Sequence, residues 1–167
     1  MASTLANLKG VKAKERTRDA QRYGALLCVG LADAHAQAEA QLSGEARALE
    51  VLKGYARACP SASVPLGFSV AERLVRVARA SLSGHTTERT RVQGVEGYAQ
   101  ALKAFASALS ALERQRTRDP QLSELIRVKR HNSLAAAHNL IIDALNAGQR
   151  ELASRLIAVG RASLPRD

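Results

Sequence analysis

The side chains able to do chemistry are few and scattered. There are four histidines, His35, His85, His131 and His138, and two cysteines, Cys28 and Cys59. A structural or catalytic metal site needs His, Cys or carboxylate ligands at spacings that let them converge. No HExxH, no CxxC and no His–Cys pair at ligand spacing is present. His131 and His138 lie two helical turns apart, too distant to share one ion. Each histidine is expected at the surface or at a helix cap. Asp33 and His35 would point to different sides of a helix. Cys28 and Cys59 sit among alanines on different expected helices, so buried free thiols are expected rather than a disulfide framework. A phosphate-binding P-loop, a dinucleotide-binding GxGxxG, a nucleophile elbow and a Glu-x-x-His pair are all absent from the sequence. The expectation is a protein that is not an enzyme and carries no cofactor or metal.

Charge is the stronger signal. The net charge is +10 and the pI is near 10.4. So basic a chain favours an anionic partner, or else a well-solvated arginine surface. The charge is clustered. Lys9, Lys12, Lys14, Arg16, Arg18 and Arg22 form one group; Arg114, Arg116, Arg118, Arg127, Lys129 and Arg130 form another. Arg73, Arg76 and Arg79 add a third, at steps of three on one helix face. The residues expected to meet an anionic partner are Lys12, Lys14, Arg16, Arg18, Arg114, Arg116, Arg118, Arg127, Lys129 and Arg130. Such groups neutralise phosphates without reading bases. Aromatic residues make up only 3% of the chain, too few for sequence-specific stacking on single strands. The competing expectation is that Glu15, Glu72, Glu113 and Glu124 pair with some of these cations.

The elements that must position these residues read as helices throughout. Tyr23, Leu27, Gly30/Leu31, Ala34, Ala38 and Leu42 recur every three or four residues and predict one buried helix face, ended at Ser43–Gly44. Ala48, Leu49, Leu52, Tyr55/Ala56 and Cys59 predict a second helix, stopped by Pro60. Pro60 to Phe68 reads as a loop, and Ser69 with Glu72 as the capping box of the third helix. Val70, Leu74, Val77/Ala78 and Leu82 carry that helix. The fourth is capped at Thr86 or Thr87 and carries Val92, Val95, Ala99, Leu102, Phe105, Leu109 and Leu112. Gly94 and Gly97 predict a break or kink before Tyr98, or else a close helix crossing. Asp119–Pro120 starts the fifth helix, Gly148 ends it, and Leu152 to Leu164 form the last, stopped by Pro165. No period-2 strand pattern occurs. The fold class is all-α, with six or seven antiparallel helices in a repeat-like array or an irregular bundle. Residues 1–22 read as a basic N-terminal segment and 23–167 as a single helical domain.

The stretch "NLIIDALNAGQRELASRLIAVGRASLP" predicts a helical hairpin turning at Gly148. Asn139–Leu140, Gly148, Ala153, Ile157, Gly160 and Pro165 fall at the spacing of a tetratricopeptide unit. Tyr98, Ala101, Phe105 and Ala108 repeat the second-helix part of that pattern. The chain therefore resembles a tetratricopeptide-like helical repeat, most clearly in its C-terminal half, with Ile141 where the family has a glycine. The resemblance implies stacked helical hairpins that present a protein-binding surface.

From these readings the chain is expected to be a non-enzymatic helical interaction protein that binds a protein partner or its own copies. The alternative is a basic nucleic-acid-binding protein, of a packaging or coat type, contacting phosphates without sequence specificity. No stretch is apolar enough to span a bilayer and no signal peptide is visible, so a cytoplasmic location is expected.

Overall fold

The computed structural model describes residues 2–83, 87–114 and 120–163; side chains are described from residue 15, apart from 120–123, 133, 137 and 163. Six α-helices follow one another: α1 (Ala2–Leu42), α2 (Glu45–Ala58), α3 (Ser63–Leu82), α4 (Glu88–Arg114), α5 (Pro120–Asn146) and α6 (Arg150–Ser163). A single 3-10 turn, Pro60–Ala62, precedes α3. No strand occurs among the described residues. The expected all-α class is what forms.

Glycine sets the two tightest turns. Gly44 (φ 90°) and Gly148 (φ 70°) take the left-handed conformation that a side chain disfavours. At Gly148 the N–H of Gln149 reaches back to the Ala144 carbonyl at 2.9 Å, which satisfies a carbonyl left open at the end of α5. The α5–α6 hairpin therefore turns where the sequence places it. At the start of α4, the Thr90 N–H donates to Thr87 Oγ1 at 3.3 Å and Thr90 Oγ1 donates to the Thr87 carbonyl at 2.8 Å. Thr86, His85, Asp119 and Pro165 lie outside the described residues.

Four sequence expectations are corrected. The 60–68 loop is absent: Pro60 opens the 3-10 turn and α3 begins at Ser63. Pro65 sits in the first turn of α3, where no i→i−4 donor is required, so it does not delay the helix. Ser69 and Glu72 consequently lie inside α3 and cap nothing. The break before Tyr98 is also absent, and α4 runs unbroken through both glycines. A Cβ on Gly94 would stand 2.5 Å from Leu82 Cγ and Cδ2, and one on Gly97 3.6 Å from Ala78 Cβ. The glycines are there because α3 crosses at that point, which was the other expectation for them.

The third correction concerns the cysteines. Cys28 and Cys59 form a disulfide that ties α1 to the end of α2, with Cα atoms 6.6 Å apart. Alanines around them made free thiols the expectation; alanines also let the two backbones approach within bridging range. The fourth concerns α1. Its buried positions are Ala32 and Ala36, flanked by Ala25, Cys28, Val29 and Ala40. Tyr23, Leu27, Gly30, Leu31, Ala34, Ala38 and Leu42, expected to face the core, are exposed. The helix turns its small residues inward because only these permit α2 and the Cys59 junction to come close.

Packing runs along the chain. Each helix touches its neighbour in sequence or the next but one, and α1 makes no contact with α4, α5 or α6 among the described residues. The buried residues form successive clusters instead of one centre. Ala32, Ala36, Leu52 and Leu66 lie at the N-terminal end. Phe68, Phe105, Leu109 and Leu112 lie between α3 and α4. Tyr98, Leu102, Leu140, Leu152, Ala153 and Leu156 join α4 to the α5–α6 hairpin. This is the packed-hairpin arrangement, in coarse form, that a helical repeat would have.

Candidate interaction surfaces

The cationic clusters are the first candidate, and the structure distributes them unevenly. Arg16, Arg18 and Arg22 are exposed on α1, where every side chain from Glu15 to Arg22 faces solvent. Lys12 and Lys14 lie on the same helix, with side chains outside the described set. Arg114 is exposed in the last turn of α4. Arg116 and Arg118 fall outside the described residues.

Arg127, Lys129 and Arg130 are on α5, and each meets a carboxylate. Arg127 holds Glu124 through two hydrogen bonds of 2.8 and 2.6 Å. These hold the Glu124 carboxyl below its ordinary pKa and raise that of Arg127. Arg130 bonds Glu113 on α4 at 2.8 Å. Lys129 Nζ lies 3.9 Å from Glu72 on α3 and 4.9 Å above the Phe68 ring. The Arg130–Glu113 bond ties this part of α5 to the last turn of α4, and acidic side chains stand among its cations. Exposed pairs of this kind contribute little stability. Their effect is to lower the local positive potential.

The third arginine group divides three ways. Arg73 turns inward, almost fully buried, and donates to Glu45 at the start of α2 at 2.6 Å. Glu45 also faces the positive end of the α2 dipole. Arg79 bonds Asp143 on α5, its Nε at 2.7 Å from Oδ2 with a second N–H on the same oxygen. Arg76 is exposed between them. Arg76 and Arg79 line a groove of about 770 Å³ between α3 and the α5–α6 hairpin, floored by Leu82, Leu140 and Leu152. Periodicity within α3 gave the spacing of these arginines but not the α5 carboxylate that one of them meets.

The surface that sequence reasoning missed is the outward side of α1. Tyr23, Leu27 and Leu31 are 66%, 68% and 60% exposed, and Leu26 is comparably open. Gly24 and Gly30 lie along the same side, and a Cβ at either would meet nothing within 4 Å. The stripe lies opposite the Ala32–Ala36 side that packs on the domain. The periodicity of this stripe made it the expected core face; the alanine-rich side of the same helix is the one that the fold covers.

Among the described residues no three His, Cys, Asp or Glu side chains converge on a point that could hold a metal ion. His35 stands edge-on to the Tyr55 ring and 3.9 Å from Glu39; His131 and His138 are exposed on α5. No described helix is long and apolar enough to cross a membrane. Comparison with protein-family models, curated proteins and solved structures finds no match.

Proposed function

We propose that this chain is a non-enzymatic interaction protein that binds a protein partner, its own copies included, through the outward face of α1. One observation carries this reading: the contiguous run of Tyr23, Leu26, Leu27 and Leu31 in solvent. Single exposed apolar residues are ordinary on any protein surface. A row of them on one helix face is a docking patch or an aggregation hazard. Nothing else in the described fold covers it. The packed helix pairs are compatible with the tetratricopeptide resemblance and leave α1 at one end of the run of contacts, where a partner has free approach.

A photo-crosslinking side chain placed at Leu31, in cells that make the protein, tests the reading. The expected result is a discrete protein adduct, absent when the crosslinker stands at exposed Arg161 on α6. Equal labelling at the two positions overturns it. The second reading, non-specific binding to nucleic acid, is favoured by the exposure of Arg16, Arg18 and Arg22. It predicts affinity for duplex or single strands that falls steeply with salt. Absence of binding at low salt removes it.

A further inference from the structure

We infer that the partner of α1 is a second copy of this chain, paired antiparallel along the Tyr23–Leu42 stripe. The inference rests on the interaction reading above and names its occupant.

Three features point to it. The first is shape. Bulky Tyr23, Leu27 and Leu31 alternate along the stripe with Gly24, Gly30, Ala34 and Ala38, all exposed. A stripe running the opposite way can set its bulky residues over the small ones. The second is the pair of glycines. Each costs about 1 kcal/mol of helix propensity against alanine. Gly67, Gly94 and Gly97 have Ala108, Leu82 and Ala78 directly over them. Gly24 and Gly30 have nothing over them among the described residues, so the close approach they permit is to a helix from outside.

The third is charge. Up to Arg22 the sequence of α1 carries Lys9, Lys12, Lys14, Arg16, Arg18 and Arg22 against only Glu15 and Asp19. From Tyr23 to Leu42 it contains no lysine or arginine, but Asp33 and Glu39. A parallel pair would lay the basic end on the basic end. An antiparallel pair centred near Leu27 and Leu31 lays each basic end along the acidic half of the other copy, over a helix of roughly 42 Å between residues 15 and 42. The interface is isologous and closes on itself, as a twofold dimer requires. A phosphate-binding role would leave the acidic half and the apolar stripe without a use.

Light scattering on the full chain reads the outcome. The expected mass at micromolar concentration is twice 17.8 kDa. Leu27→Glu with Leu31→Glu is expected to give the monomer mass with unchanged helical circular dichroism, because both side chains lie outside the core. A wild-type chain that is monomeric throughout overturns self-pairing. If the Leu31 crosslinker then still captures a different protein, the interaction reading stands without the dimer; if it captures none, both fall.

Orientation is tested separately. Reversing Arg16, Arg18 and Arg22 to glutamate is expected to weaken the dimer by about tenfold or more at low salt. Adding Asp33→Lys and Glu39→Lys to that variant is expected to restore affinity to within about threefold. Arg22 and Asp33 are roughly 16 Å apart along one rigid helix, so restoration requires a second chain. A dimer that the added reversals leave weak overturns the antiparallel arrangement.

Discussion

Helices α1 and α4 are both long, alanine-rich and glycine-bearing, with Gly10, Gly24 and Gly30 in the first and Gly94 and Gly97 in the second, yet they are held in opposite ways. In α4 the glycines lie beneath α3, and Tyr98, Leu102 and Phe105 are buried on the turns that follow. In α1 Gly24 and Gly30 face solvent, the buried residues are alanines, and a disulfide supplies the tie. Alanine buries little apolar area, so its contribution per residue is small. A glycine in a helix therefore has no fixed meaning. What stands above it decides whether it closes a core or leaves a surface open.

The largest effects should come from the α4 side. Leu102→Ala and Leu156→Ala each remove a fully buried side chain and should cost about 2–5 kcal/mol in denaturant unfolding. Leu27→Ala on α1, measured at concentrations below association, should change stability by no more than about 0.5 kcal/mol. Equal costs at the two sites would erase the contrast.

Reduction of Cys28–Cys59, which closes a separation of 31 residues, should cost about 2–4 kcal/mol. Hydrogen exchange should show the loss concentrated in α1 and α2. Protection lost first in α5 and α6 would mean that the bridge supports the whole array and not its N-terminal end.

Alkali sharpens the comparison from the core side. Burial pushes the Tyr98 phenol up to about 12 from its ordinary value. The unfolded chain releases this proton near pH 10 while the folded chain keeps it, so stability falls as pH rises from about 10 towards 12. The loss should reach roughly 2 kcal/mol. Tyr98→Phe should flatten that part of the pH profile, read by thermal melting.

The smallest effect is a difference of sign. Gly24→Ala should raise the stability of the isolated chain by about 0.5–1 kcal/mol, since nothing obstructs the new methyl. Gly94→Ala should lower it, because Leu82 must move. Melts at concentrations below association separate the two.

Where local chemistry decides, the sequence was legible. Gly44, Gly148 and Thr87 carry their turns and caps in their own side chains, or in the lack of one. Ala153, which the tetratricopeptide spacing singles out, is buried among Leu140, Leu152 and Leu156. What could not be read depends on a second element. Two apolar stripes on α1 have the same period, and only the arrival of α2 chooses between them. Pro60 and Pro65 both signal a break, but one opens a 3-10 turn and the other fits a helical first turn. Glu72, Glu113 and Glu124 were expected to pair with basic residues, and all three meet a cation on α5. Which cation each of the first two takes depends on how α5 lies across α3 and α4.

Because each helix meets only its close neighbours in sequence, the chain can fold in the order in which it is made. The α1–α2 pair has its contacts, and the partner for its cross-link, before α5 exists. Few long loops must close before a contact forms, which favours a short search and fast folding. Such an array can also fray from one end while the other stays intact. Heating the reduced protein should therefore melt it progressively from the α1 end.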